Sequence, residues 1–595
     1  GGFILMEHHR DHDAEVQVDS GDEESPGTED SALRFRFTFR RLWRFAGPGW
    51  LMSLAYLDPG NLESSLQQGA YTQLNLVWVL WWATVMGLIL QEMSARLGLV
   101  TGRDLAQTVR AEYPRWLCYF VYVMMEIAVI GADIQEVVGS GVALKLMTGM
   151  PVWLGCLITG LDTFTFLAVQ YLGVRYLEAL IFLLIGTMSI CFFVNWGSSD
   201  TDMGLLVRGW IVPMMPGYAL SQTVGTIGAV IMPHNLYLHS GLVLSRNVQR
   251  TSPQRVYDAI WYARIESAVA LLVAFLINLA IIATNAAAFF SAPCTTLENG
   301  PYACLAAKAF NASGDAQHTT PDGQGTACSR PGGGVGQCGE IGLASEGYAL
   351  ADALGESSLY IWALGLLAAG QASTMVCTYA GQMIMGGCLQ IKLAPWKRVA
   401  LTRAFALGPA LLVSVATGSD TSLFNNINEY LNILQSVQLP FAMLPVLHFA
   451  ASKRLLGRFA STPALFGLSC TLALVVISIN VLLVVQFIQD PPALNVDEGS
   501  TSMPSYAIVL IALAGAGYFG VCIRLMWDEV AALLIFIRHL LGVPPMSTAA
   551  DAGIGRVPML TSGWRVGALP SDAQPDAIAM ASVLSDTPTS TVVHT

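Results

Sequence analysis

Long apolar runs separated by short polar connections dominate the chain, for example at 268–283, 361–369 and 472–485. With their flanks, such runs reach the roughly 20 residues that a helix needs to cross a hydrocarbon core. Taking each run as one span predicts twelve, at about 46–69, 75–98, 117–147, 152–171, 176–196, 219–245, 257–289, 351–387, 399–417, 425–451, 463–488 and 504–526. The expected fold class is an all-α integral membrane protein. A tail over 1–44, acidic and then basic, is expected to be mostly disordered. The spans fall into blocks at 45–196, 219–451 and 452–526, a long connection runs through 290–350, and a polar tail covers 527–595.

Composition agrees with the pattern. The 595 residues are 54% hydrophobic and 12% charged, with a mean hydropathy of +0.53, and soluble domains carry about twice that share of charge. Much of the net charge of −12 is crowded between Glu7 and Asp30, a segment too polar to bury a core. No basic aromatic patch and no phosphate-cradling glycine loop is evident, which argues against nucleic-acid and nucleotide partners. No nucleophile–base pair or His-Glu-x-x-His pattern is apparent either, so an enzyme is not expected. No signal peptide is visible.

Arginine and lysine set the orientation, because short cytoplasmic loops retain them. They cluster before the first span (Arg34, Arg36, Arg40, Arg41, Arg44) and in alternate loops: Arg103, Arg110 and Arg115; Arg175; Arg246, Arg250 and Arg255; Lys392, Lys397 and Arg398; Lys453, Arg454 and Arg458. Both termini are therefore expected to be cytoplasmic and the 290–350 connection extracytoplasmic. That connection holds Cys294, Cys304, Cys328 and Cys338, candidates for disulfides with three possible pairings, and Asn311 in an Asn-Ala-Ser sequon, a glycosylation candidate.

Two of the spans carry a matched polar interruption. Asp58-Pro59-Gly60-Asn61 lies in the first and Met232-Pro233-His234-Asn235 in the sixth, both reading X-Pro-X-Asn. Proline and glycine loosen a helix, and interrupted backbone at membrane depth is tolerated only where protein or a water-filled cavity surrounds it. Five spans separate the motifs, so the two halves run in opposite directions. Corresponding breaks in inverted halves point to a transport site near the midplane, whereas a single proline kink would be commonplace.

The residue types narrow the cargo. Asp58 offers an anionic oxygen, Asn61 a neutral one three residues later, and carbonyls near Ala55 and Ala229 could add more. Met232 brings a thioether, a poor ligand for Ca²⁺ or Mg²⁺ but compatible with Mn²⁺, Fe²⁺, Co²⁺ or Cd²⁺. A metal carried this way is a substrate, and no resident cofactor is expected.

At these motifs the sequence resembles the Nramp family of proton-coupled divalent metal transporters. The resemblance extends through Met232–Ser240, Glu126 with Asp133-Ile134-Gln135-Glu136, Tyr379-Ala380-Gly381-Gln382, and Asn432 with 435–441. It implies a LeuT-type five-plus-five inverted repeat with helices 1 and 6 broken. It places metal against Asp58, Asn61, Met232 and the carbonyls of Ala55 and Ala229, with Asn432 or Gln435 helping to close the site. Met232 sets the chain apart from relatives that lack it and handle magnesium or aluminium. Histidine titrates near neutral pH, which makes His234 and His239 candidate proton relays; the carboxylate–arginine path the resemblance implies runs through Glu126, Asp133, Glu136 and Arg398, and intramembrane ionisable groups normally pair or conduct.

The expected function is import of Mn²⁺ or Fe²⁺ toward the cytosol, with Co²⁺ and Cd²⁺ as further candidates, together with protons and by alternating access. A sodium-coupled amino-acid carrier of the same fold and a metal-sensing receptor that moves nothing are the alternatives. The partners are then metal ions, protons and the lipid bilayer, with no obligate protein partner; the plasma membrane and endosomal or lysosomal membranes are equally open.

Overall fold

In the computed structural model the described residues are 33–45, 50, 52–53, 56–161, 174–246, 248–297, 301–313, 326–331, 333–390, 395–417, 421–489 and 505–531. The acidic tail before residue 33, the polar tail after 531 and Ala55 lie outside them, as does the side chain of Arg398. The chain divides into two compact units, Gly1–Ile511 and Ala512–Thr595. The second is helical in its described part, and the packing and the site described below belong to the first.

The main helices of the first block are α1 (Pro59–Thr72), α2 (Val77–Thr101), α3 (Arg115–Thr148), α4 (Val152–Leu161) and α5 (Val174–Gly197), with the short helix Leu105–Glu112 between α2 and α3. Those of the second are α6 (Leu220–Val230), α7 (Pro233–Leu242), α8 (Pro253–Phe289), α9 (Leu343–Leu354), α10 (Ser357–Leu389), α11 (Pro395–Thr417), α12 (Thr421–Gln438) and α13 (Pro440–Ala451). Then come α14 (Pro463–Gln489) and α15 (Ser505–Leu525). Among the described residues, seven helices are long and apolar enough to cross a membrane, starting at Val77, Arg115, Gly217, Pro253, Ser357, Ile427 and Pro463. Shorter apolar helices lie in the expected fourth, fifth and twelfth spans.

Three departures from the sequence pattern have physical reasons. The expected eighth span, 351–387, begins in a separate helix: α9 stops at Gly355, whose φ of 106° only glycine adopts cheaply, and α10 restarts at Ser357. The tail over 1–44 is ordered at its basic end. There Phe35 stacks on Trp261 and meets Tyr262 edge-on, and Tyr262 Oη accepts from the Thr38 amide and donates to the Arg36 carbonyl.

The third departure is a small sheet within the otherwise helical chain. Strands β1 (Ala303–Leu305), β2 (Ala327–Ser329) and β3 (Val335–Gly339) pair antiparallel in the order β1-β3-β2. Strands this short do not hold together alone. Disulfides Cys294–Cys338 and Cys304–Cys328 tie them, resolving the three pairings left open by the sequence. Asn311 is exposed on the short helix Ala307–Ser313 beside them.

Packing centres on the interrupted helices. α10 lies along α3, and α8 runs beside α1 and α2. Glycine allows close helix approach at several contacts, among them Gly139, where a Cβ would lie 2.5 Å from Pro59 Cβ, and Gly228, where one would lie 2.2 Å from the Asn432 carbonyl oxygen.

Candidate metal site

Both motifs start a helix in the same way. Asp58 is the N-cap of α1 and Met232 that of α7, each followed by proline in the first helical position. Proline fits there because that position has no intrahelical partner for an N–H. The prolines therefore begin new half-helices at the break. Asp58 Oδ2 accepts from the Gly60 amide at 3.0 Å and Oδ1 from the Asn61 amide at 3.3 Å, a charge at the positive end of α1.

The Asn61 side chain joins the two breaks. Its Nδ2 donates to Asp58 Oδ1 at 2.6 Å and to the Ala229 carbonyl at 2.8 Å. Ala229 lies in the last turn of α6, where carbonyls lack intrahelical donors. The amide thus bridges two oxygens that a divalent cation could share. An ion taking that place needs the amide turned to present its oxygen. Asp58, Asn61, Ala229 and Met232 are all at most 2% exposed.

A third wall comes from α3 and α12. Gln135 Nε2 donates to Asn432 Oδ1 at 2.9 Å and to the Asn428 carbonyl at 3.0 Å, while Gln435 Nε2 donates to Gln135 Oε1 at 2.9 Å. Asn432 Nδ2 donates to the Gly60 carbonyl at 3.1 Å. The bare face of Gly60 is ringed by oxygen: a Cβ there would lie 2.8 Å from Gln135 Oε1 and 2.9 Å from both Asn432 Oδ1 and Asp58 Oδ2. Asn432 is thus in the site, and Gln435 meets it through Gln135.

Around this centre, α8 staples the first break. Asn278 Nδ2 donates to the Tyr56 carbonyl before the break, and its Oδ1 accepts from Ser65 after it, at 2.9 and 3.0 Å. Ser64, Thr226 and Gln68 link α1 to α6 at 3.0 and 3.1 Å. Further along α1, Glu63 Oε2 accepts from the Leu343 amide at 2.8 Å, and Tyr71 Oη accepts from the Ile341 amide at 3.1 Å. The disulfide-tied segment therefore grips α1 just beyond Cys338.

The ionisable residues divide. His234, Asp133 and Glu136 are buried, and Glu136 meets His234 through the Cys377 thiol on α10. Glu126 is half-buried two turns away on α3. His239 turns to α2 instead, with Nδ1 2.6 Å from Gln91 Oε1. Five residues on a helix carry the second histidine to another face, so the two are not neighbours on one path. Gln135, Cys377, Asn278 and Gln91 were not singled out as site residues from sequence. Gln135 stood inside a quoted motif, but nothing in the pattern marked its amide as a wall of the site.

The family model described as Natural resistance-associated macrophage protein-like matches residues 49–315 and 326–486. The chain belongs to the Nramp family. It is 40% identical over 489 residues to Metal transporter Nramp2 of Populus trichocarpa, covering 80% of this chain and 83% of that one. It is 41% identical to Metal transporter Nramp4 of Arabidopsis thaliana, covering 76% and 81%. Among solved structures, the fold is similar to the manganese transporter of Eremococcus coleocola, at 25% identity and a TM-score of 0.65, covering 86% of this chain and 99% of that one. The architecture of this Nramp chain is accordingly the LeuT-type inverted repeat, and it is an integral membrane protein.

Proposed function

We propose that this Nramp chain carries divalent transition metals, Mn²⁺ and Fe²⁺ foremost, toward the cytosol together with protons by alternating access. The observation that carries the reading is the meeting of Asp58, Asn61 and the Ala229 carbonyl within 2.8 Å contacts across two opposed helix breaks, with the buried Met232 capping the half-helix after the second break. One carboxylate with neutral oxygens and a thioether suits a borderline-soft dication that must also leave. The family and the manganese transporter of similar fold support it. Both termini are assigned to the cytoplasmic side from the arginine and lysine distribution.

Protons would leave the site by way of His234, Glu136 and Asp133, three buried groups on α7 and α3. An amino-acid carrier would need amides free to bind a substrate carboxylate at the start of α1. Here Gly60 and Asn61 already give theirs to Asp58. In proteoliposomes, Asp58→Ala is expected to abolish Mn²⁺ uptake with the protein still folded by size-exclusion chromatography. Uptake at the wild-type rate would refute the assignment.

A further inference from the structure

The sixth-span histidine and the third-span carboxylate are joined by a group that plays no part in the reading above. Cys377, one turn before Gly381 on α10, is 1% exposed, as is Glu136, and His234 is fully buried. Its Sγ lies 2.8 Å from Glu136 Oε1 and 3.4 Å from His234 Nε2. The contact is built into the helix pair. Two turns earlier on the same face of α10, Gly370 lies so close to α3 that a Cβ there would be 2.1 Å from Ser140 Oγ and 3.0 Å from the Glu136 carbonyl oxygen. With glycine at 370, α10 and α3 approach closely enough for a short thiol to reach the carboxylate.

A thiol has one hydrogen to donate and a sulfur that accepts weakly. When the hydrogen goes to Glu136 Oε1, the sulfur is left to receive Nε2–H of His234. That arrangement fixes the imidazole tautomer, and it agrees with His234 Nδ1 having no hydrogen-bond partner among the described residues. His234 lies in the first turn of α7, two residues after its N-cap Met232. Alanine at 377 would leave a gap between ring and carboxylate. Serine would keep a donor and acceptor on a shorter arm.

We propose that Cys377 is a positioning residue of the transport site, its thiol holding His234 and Glu136 in one connected polar chain. This rests on the reading that the pair moves protons with the metal, and the two can be tested apart. The direct readout is the infrared S–H stretching band of the purified full-length protein, assigned by its loss in Cys377→Ala. It is expected to shift in both Glu136→Gln and His234→Ala. A band that stays in place in both variants overturns the proposal whatever the protein transports.

The functional readout is paired Mn²⁺ uptake and H⁺ entry in proteoliposomes. Wild type without Mn²⁺-linked H⁺ entry would refute the coupling reading alone, leaving the infrared result to decide on the link. With coupling present, Cys377→Ala is expected to lower H⁺ moved per Mn²⁺ at least threefold with the KM for Mn²⁺ within twofold, and Cys377→Ser to restore most of the ratio. An unchanged ratio in Cys377→Ala overturns the proposal. If Cys377→Ala fails to fold, the S–H band is assigned by its loss in Cys377→Ser instead, and the infrared criterion above decides.

Discussion

Replacing Gly228 with alanine tests the geometry of the site without removing any proposed ligand. Gly228 is on α6, next to Ala229, and its Cα faces the backbone of α12. The new Cβ would stand 2.2 Å from the Asn432 carbonyl oxygen, 2.8 Å from the Ser436 nitrogen and 2.9 Å from Ser436 Cβ. Ordinary contact begins at 3.4 Å, so the helices must part by about 1 Å. Two of the three clashing atoms are backbone, so no side-chain rotation relieves them. Overpacking of this kind costs about 1–3 kcal/mol.

The shift falls where the Ala229 carbonyl and the Asn432 amide both meet the start of α1, and a displacement near 1 Å is enough to spoil a ligand set. Gly225, one turn earlier on α6, is the control, with no described atom within 4 Å of the corresponding Cβ. Alanine there should gain up to about 1 kcal/mol from helix propensity. Thermal unfolding and Mn²⁺ uptake would be measured for both purified variants. Gly228→Ala should lower Tm and cut uptake at least tenfold, while Gly225→Ala transports as wild type. Equal behaviour of the two variants would refute the close approach of α6 and α12.

Further outcomes follow from single features. Met232→Ala should keep measurable Mn²⁺ uptake but let Ca²⁺ and Mg²⁺ compete; if discrimination against Ca²⁺ survives, the soft-ligand argument fails. Non-reducing peptide mapping should recover Cys294 with Cys338 and Cys304 with Cys328, and a Cys304–Cys338 peptide would contradict the fold of the sheet. On α9, outside the apolar spans, burial pushes the Glu346 carboxyl up to about 8 from 4.5, against a smaller opposing effect of Asn285. The folded protein therefore holds this proton more tightly than the unfolded chain, and the associated stability is full below pH 4.5 and lost as pH rises through about 8. Glu346→Gln should accordingly raise Tm relative to wild type at pH 8.5 and not at pH 4.5; equal Tm shifts at both would reject the assignment.

The spans and the two breaks were legible because they are written locally, as apolar length and as a cap-proline pair repeated in opposite halves. Asp58, Asn61 and Ala229 could be placed together because one helix turn and one repeat relation separate them. Gln135 and Asn278 could not, since each acts by where its amide lands on a helix distant in sequence. The separation of His239 from His234 was in principle readable from a five-residue spacing, but nothing in the sequence pointed to Gln91 as its partner. The sheet escaped because its strands are three to five residues long and depend on disulfides whose pairing has no local signal.

All fourteen residues of α1 are buried, and they include Asn61, Glu63, Ser64, Ser65, Gln67, Gln68 and Thr72. Such a segment is poorly suited to stand alone in lipid, where a charged or amide side chain at depth is costly. Its polar partners come later in the chain: Thr226 on α6, Asn278 on α8 and the Leu343 amide on α9. During synthesis the first membrane segment is therefore made well before the groups that satisfy it. The half-helix bearing the cargo site is completed by the second repeat, so biogenesis of this transporter is a problem of holding its earliest helix until its latest neighbours arrive.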